Sequence, residues 1–340
     1  MDDFSRYDTA QHRRSLLNKA RTIVLSALMH YDIEWEGIQF IQLSDTITYK
    51  IETKSTGHYL LRIHSDLMSK EQIQSELTLL QALNLCDDLT VPEGIASRDG
   101  SYVLDIEVAG EQRRPYYVTM MRWVEGSHVE GDFTDSLANK MGMLMGRLHE
   151  AAVKFDPPAD FTRPVWGAGS FRSELAKLEQ HYSVFLSEEA WRSYQAAAEK
   201  VCSQLEEIPC NDRNHGLIHG DLHSGNIVIL EDEPYPIDFG RCGYGYYLYD
   251  MAGALLGLWP KHRWMFIQGY ESVRKLTGDY VRELECFFIM VMIGNYAHHA
   301  SNPLETASLI EEQPYAQAYI REFLSGRSFL FEVVDLVRSN

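Results

Sequence analysis

The residues best suited to chemistry in this 340-residue chain lie between His219 and Gly240. They are the run His219-Gly220-Asp221-Leu222-His223-Ser224-Gly225-Asn226, an apolar stretch over 227–230, and then Ile237-Asp238-Phe239-Gly240. A carboxylate such as Asp221 can orient and deprotonate a hydroxyl, while Asn226 and Asp238 offer oxygen atoms to a hard cation such as Mg²⁺. Together these are the groups that phosphoryl transfer from a nucleoside triphosphate requires. A second chemistry starts from the same run, because His219, Asp221 and His223 alternate as transition-metal ligands on one face of a strand would. That reading leaves Asp238-Phe239-Gly240 without a role.

Spacing favours the first chemistry. The twelve positions from Asn226 to Asp238 hold one hairpin: apolar 227–230, an acidic turn Glu231-Asp232-Glu233-Pro234, and a return over 235–239. Such a hairpin brings the second metal ligand back to the first. The whole series fits the catalytic-loop template H-R-D-L-x-x-x-N followed by D-F-G, except that Gly220 stands where arginine would be.

Composition sets bounds on the partners. Against 49 acidic residues there are 31 basic ones, a formal charge of −18. A field of that sign repels nucleic acid and anionic membrane and favours a cationic or zwitterionic small molecule. The five cysteines are scattered and form no C-x-x-C pair, which fits a reduced, cytoplasmic protein without a structural zinc. The N-terminal residues are polar and charged, and the longest apolar run, 287–293, is too short to span a bilayer.

Elements able to position these groups follow from periodicity. Leu16, Leu17, Ala20, Ile23, Val24, Ala27 and Leu28 give a leading amphipathic helix over 9–30. Strands are expected at 38–42, 47–53, 59–64, 102–108 and 116–121, with a helix at 69–83 whose stripe is Ile73, Leu77, Leu80 and Leu83. Beyond Trp123-Val124-Glu125-Gly126 helices dominate: 136–152, 171–185, 188–208, 248–258 and most of 281–337. The expectation is an α+β, bilobal chain with an N-terminal lobe over 1–122 and a mainly helical C-terminal lobe over 123–340. Gly126 and Gly131 let the chain change direction between them.

The run 219–226 with Ile237-Asp238-Phe239 and Tyr249-Asp250-Met251-Ala252 resembles the aminoglycoside phosphotransferase superfamily, the choline kinase-like small-molecule kinases. Tyr59-Leu60-Leu61-Arg62-Ile63-His64, Ser75-Glu76-Leu77 and Gly146-Arg147-Leu148-His149 extend the likeness over nearly the whole chain, and H-G-D is that family's own form of the loop. The resemblance implies a protein-kinase-like fold and transfer of the γ-phosphate of ATP, or GTP, to a hydroxyl of a small acceptor. It makes Asp221 the base, with Mg²⁺ on Asn226 and Asp238. Arg62, held by Glu76, contacts the nucleotide phosphates where protein kinases use lysine; a planar fork cannot copy a point charge, so the detail of that contact changes. The loop over the phosphates has no glycine, which leaves Ser44 and Thr46 hydroxyls and main-chain N–H groups to grip. Adenine is expected at the backbone of Met121, Arg122 and Trp123, between Ile51, Leu60 and Ile229. His219 and Asp250 support the loop, although an aspartate at 250 is equally an N-cap. His223, Ser224 and Arg241 are phosphate or substrate contacts, and the acceptor pocket draws on Trp259, Tyr296, His298, His299 and Glu312. A homodimer is compatible with this reading. The alternatives are a stress-type Ser/Thr protein kinase and a nucleotide-binding pseudokinase; intact Asp221, Asn226 and Asp238 argue against the second, and the lack of an A-P-E segment against the first.

Overall fold

A computed structural model describes residues 10–108, 114–129 and 133–336. Gly131 lies outside them. The chain forms two compact units: the first runs to Glu125 and adds a returning stretch, Asp156–Arg163, and the second holds Gly126–Phe155 and the chain from Pro164.

In the first unit helix α1 (Ala10–Leu28) precedes three strands, β1 (Trp35–Leu43), β2 (Thr46–Thr53) and β3 (His58–His64). Helix α2 (Lys70–Leu83) and strands β4 (Leu104–Ile106) and β5 (Tyr116–Arg122) follow. The five strands make one antiparallel sheet in the order β1-β2-β3-β5-β4. Alternation gives the sheet two faces. Ile47, Tyr49, Ile51, Tyr59, Leu61, Ile63, Val118 and Met120 join Ile23, Val24 and Ala27 of α1 in one apolar core. Arg62, cross-strand from Thr48 and Thr119, belongs to the opposite face. Ser69 and Gln72 close the start of α2 with a reciprocal cap: Gln72 N–H donates to Ser69 Oγ (3.2 Å), and Ser69 N–H donates to the Gln72 side chain (3.0 Å).

The second unit opens with β6 (Ser127–His128), α3 (Asp135–Lys154), β7 (Val165–Trp166), α4 (Ala168–Glu179) and α5 (Glu188–Glu207). Four short strands come next, β8 (His215–Ile218), β9 (Ile227–Leu230), β10 (Glu233–Pro236) and β11 (Gly243–Tyr246). Helices α6 (Tyr247–Leu256), α7 (Pro260–Val273), α8 (Tyr280–His299) and α9 (Thr306–Ser325) complete it. The strands form two small sheets, β10-β9-β6 and β7-β11-β8. Among the described residues no helix is long and apolar enough to cross a membrane.

Among the differences from the sequence expectation, three have a local physical reason or place. Helix α4 ends at Glu179, short of 185, and a 3-10 turn over Tyr182–Val184 follows. The β9–β10 turn takes only Glu231 and Asp232, both at positive φ (53° and 63°), because a two-residue turn of that hand matches the twist of the strands. Helix α7 was not expected at all. Its polar start Lys261-His262-Arg263 and its central Gly269 blur the apolar period, although Pro260 at the first turn is a permitted start.

Glycine explains how α7 docks. A Cβ on Gly142 of α3 would run into the Phe266 carbonyl, and one on Gly269 of α7 into the Asn139 carbonyl, so the two backbones approach as only glycine allows. Gly142→Ala should therefore destabilise the protein by about 1–3 kcal/mol through forced separation of the helices, despite the better helix propensity of alanine. A denaturant melt checks this, and stability equal to that of the parent would contradict the packing argument.

Candidate active site

In the first unit Arg62 Nη2 donates to Glu76 Oε1 at 2.6 Å, with side chains only 4% and 1% exposed. Glu76 Oε2 has no hydrogen-bond partner among the described residues. His64, next but one along β3, lies 2.9 Å from Thr119 Oγ1; burial, then Arg62 and Arg163, keep it well below its ordinary value and hence neutral. The β1–β2 turn is closed by Ser44 N–H donating to Thr46 O (3.0 Å), and Thr46 Oγ1 lies 3.2 Å from Thr48 Oγ1, which leaves Ser44 the exposed hydroxyl.

Met121 is buried in β5 opposite Leu60. Arg122 N–H already donates to Glu93 O (2.8 Å) and Trp123 N–H to His58 O (3.0 Å), so these two amides are committed within the unit. Lys50 Nζ stands over the Trp123 ring at 4.7 Å. Ile51 falls on the α1 face of the sheet, so it cannot serve as an apolar wall on the Arg62 face; one step of strand parity separates the two.

In the second unit the loop between β8 and β9 is braced from α6. Asp250 sits within α6, not at its cap: its Oδ2 accepts from His219 N–H (2.9 Å) and its Oδ1 from Gly220 N–H (2.8 Å). His149 Nε2 lies 3.0 Å from the same carboxylate, and His149 Nδ1 lies 2.9 Å from the Tyr270 hydroxyl. Burial would raise the Asp250 carboxyl, but the hydrogen bond and charge of His149, then His219, outweigh it and hold the group below the ordinary range. His149 is itself lowered by burial. Beside this carboxylate His149 Nε2 is the donor, and the Tyr270 hydroxyl pairs with Nδ1.

Gly220 adopts φ +79°, and a side chain there would strike the Arg241 carbonyl and Trp166 Nε1. From this turn Asp221 is presented with Asn226 beside it, whose Nδ2 donates both to Asp221 Oδ2 (3.2 Å) and to Asp221 O (2.9 Å). Ile237 N–H donates to Asn226 O (2.9 Å), which ties the return of the hairpin to the loop. Asp238 follows in the left-handed region (φ 61°), a conformation aspartate tolerates better than most residues, and its Oδ1 accepts from Gly240 N–H (3.3 Å). His219 turns the other way, with Nε2 3.1 Å from Ile237 O and its ring against Phe239. His223 Nδ1 accepts from Gly225 N–H (3.0 Å). His219, Asp221 and His223 therefore do not converge, and among the described residues no three His, Cys, Asp or Glu side chains gather as metal ligands. The transition-metal reading has no donor set.

Burial pushes the Asp221 carboxyl above the usual aspartate value; Arg241, then His223 and His219, pull it back, and Asp238 pushes it further up. Arg241 lies over the Trp166 ring (4.6 Å) with Nη2 3.8 Å from Glu174 Oε1. Burial raises Glu174 also, with Arg241 opposing. Trp166 Nε1 donates to Arg241 O (2.9 Å) and its ring stacks on Tyr249 (6.2 Å between centroids). Sequence reasoning missed Glu174 and Trp166 because they come from α4 and β7, with no spacing that links them to Asp221. His149 carries a signal in Gly146-Arg147-Leu148-His149, but nothing in the sequence points it at Asp250.

Of the expected acceptor residues, Tyr296, His299 and Glu312 line one hollow of about 430 Å³ together with Gly257, Asn295 and Glu305. The Tyr296 hydroxyl donates to Glu312 Oε2 (3.2 Å). Trp259 is largely exposed and, like His298, does not line this hollow. The Gly257 wall adjoins the loop: Ser224 Oγ is 4.0 Å from where a Cβ on Gly257 would stand.

Known proteins resemble this chain in sequence and in fold. The uncharacterized protein sll1119 of Synechocystis sp. is 30% identical over 278 residues, which cover 79% of this chain and 75% of that protein. Among solved structures, a microcompartment-associated aminopropanol kinase is 25% identical with a TM-score of 0.77, covering 93% of this chain and 99% of its own. Amicoumacin kinase hAmiN, in complex with AMP-PNP, Ca²⁺ and Ami, shares the fold at 18% identity with a TM-score of 0.75 over 93% and 96% of the two chains. The model of the family described as phosphotransferase enzyme family matches residues 39–283, which takes in most of the sheet of the first unit and the loop 219–241 of the second. On that match the chain belongs to the phosphotransferase enzyme family, as a kinase that uses an alcohol group as acceptor.

Proposed function

We propose that the chain moves the γ-phosphate of ATP to the hydroxyl of a small amino alcohol, with Asp221 as general base. The observation that carries this reading is the Asp221–Asn226 contact on a loop braced by Asp250. Asn226 engages Oδ2, which leaves Oδ1 to accept the hydrogen bond of the acceptor hydroxyl. As that oxygen attacks the phosphorus in line, its proton passes to Asp221, whose burial makes it a stronger base than a solvated aspartate. Arg62, oriented by Glu76, supplies positive charge to the α- and β-phosphates. Arg241 and His223 offset negative charge around Asp221.

The donor set beside the base fits Mg²⁺. With its nitrogen spent on Asp221, Asn226 has Oδ1 for a cation, and Asp238 adds a carboxylate; two oxygen ligands plus substrate phosphates is how this ion is commonly bound. When bound, Mg²⁺ neutralises charge developing on the phosphate oxygens.

An amine on the acceptor is supported by the aminopropanol kinase likeness, by the charge of −18 and by the hollow next to Ser224. Glu305 and Glu312 supply negative charge there, and the Tyr296 ring an apolar wall that suits an ammonium group. Purified protein incubated with ATP and a panel of amino alcohols, choline-like amines, homoserine, aminoglycosides and neutral sugars should phosphorylate the amine-bearing alcohols. Raising the salt from about 0.05 to 0.5 M should increase the acceptor KM more than the KM for Mg²⁺·ATP, because steering by exposed charge is screened. Turnover of uncharged sugars alone would refute the amine assignment, turnover of a protein hydroxyl alone would favour the protein-kinase alternative, and no ATP consumption would overturn the reading altogether.

A further inference from the structure

Between α3 and β7 the chain makes an eight-residue excursion, Asp156–Arg163, that belongs to the first unit. Its end is fastened to α2. Thr162 N–H donates to Ser75 Oγ (2.9 Å), and Ser75 Oγ donates in turn to Glu71 O (2.8 Å). Arg163 Nη1 donates to Gln72 O (2.9 Å) with the residue only 5% exposed. Gln72 is four residues before Glu76, so by helix geometry its carbonyl is the acceptor of the Glu76 N–H. Arg163 is thus one hydrogen bond from the backbone of the residue that holds Arg62.

Burying a guanidinium costs several kcal/mol unless it is well used. The use lies in what the Arg62–Glu76 pair lacks. Glu76 Oε1 meets Arg62 at 2.6 Å, while its Oε2 has no hydrogen-bond partner among the described residues, so Glu76 is held through one oxygen and its backbone. The position of Glu76 is inherited from α2. His64 gives a second sign of convergence, since Arg62 and Arg163 both disfavour its protonation. The residues just after Arg163 are equally committed: Pro164 O accepts from Tyr244 N–H (2.8 Å), and Trp166 Nε1 donates to Arg241 O (2.9 Å).

We propose that Arg163 is a positioning residue for phosphoryl transfer: by holding the first turns of α2 it sets Glu76, and through Glu76 the Arg62 guanidinium. The proposal rests on the reading of Arg62 as the phosphate contact. Calorimetric titration of Mg²⁺·AMP-PNP, with steady-state kinetics and a thermal melt, should be run on the parent, Arg62→Met, Arg163→Met, Arg163→Lys and Ser75→Ala. Arg163→Met should weaken AMP-PNP binding and raise the ATP KM by about tenfold, the size of effect expected from a hydrogen bond to a charged group. The acceptor KM should stay within about twofold, Arg163→Lys should recover part of the loss, and Ser75→Ala should show a smaller loss of the same kind.

If Arg62→Met binds nucleotide like the parent, the phosphate reading of Arg62 fails and this proposal falls with it. If Arg62→Met is weakened but Arg163→Met is not, the positioning role alone is wrong. A matched rise in both KM values with a lowered melting temperature would mean a merely structural arginine. Ser75→Ala decides the case where Arg163→Met does not fold, and nucleotide affinity unchanged in Ser75→Ala overturns positioning through α2.

Discussion

Replacing Asp221 by asparagine lowers kcat by about 10³-fold, within the range by which positioned acid–base groups act, while nucleotide affinity and melting temperature stay near those of the parent. The reasoning is local. Asparagine is isosteric, and its carbonyl oxygen can accept the Asn226 Nδ2–H that Asp221 Oδ2 accepts now, so the loop keeps its shape. The other position becomes an amide NH₂, which cannot take the proton of an attacking hydroxyl. Loss of the negative charge also relieves the repulsion from Asp238, so metal-nucleotide binding should not suffer. Rapid-quench turnover, AMP-PNP titration and a melt separate these quantities. Turnover within about tenfold of the parent would remove Asp221 from the role of base.

A second large effect is expected at a residue that touches no substrate. Asp250→Ala deprives two backbone N–H groups, on His219 and Gly220, of their acceptor and breaks the contact to His149. Each buried donor left unpaired costs about 1–3 kcal/mol, so a loss on the order of 4 kcal/mol is expected. A loop no longer pinned at Gly220 should also lower kcat by about 10²-fold through misplacement of Asp221. The pH dependence has a definite sign. Asp250 is held below the ordinary carboxylate value in the folded chain, so its contribution is present above the unfolded value, about pH 4, and is lost as pH falls through the folded one. The stability gap between parent and variant should be flat from neutrality to about pH 4 and close below it. A gap that persists unchanged in acid, or stability equal to the parent at neutral pH, would show that Asp250 is not the brace.

Much of this was open to reading because the relevant information is short-range. The run 219–240 places the proposed base, the proposed ligand pair and the hairpin between them within one stretch of chain, so residue type and interval are enough to suggest them. The strands of the first unit carry their own alternation, and Ser69 with Gln72 announces the start of α2. What escaped comes from elements distant in sequence. Trp166 and Glu174 reach Arg241 only once β7 lies beside β11 and α4 follows it, and no local pattern specifies that parallel pairing. Helix α7 hid because its contact surface is made by glycine and backbone, which a hydrophobic period does not register. The parity of Ile51 was legible in principle: counting along β2 from Thr48, which faces with Arg62, puts Ile51 on the other side.

The geometry at Gly220 bears on control. Phosphorylation commonly switches a kinase by giving an arginine a phosphate to hold, which orders a waiting segment. Position 220, where the protein-kinase template has its arginine, is closed to any side chain by the Arg241 carbonyl. The residues after the Asp238 turn are not waiting either, since Gly243–Tyr246 is already paired on both sides, with β7 and with β8. Among the described residues, a switch that works by ordering a waiting segment therefore finds none between Gly243 and Tyr246.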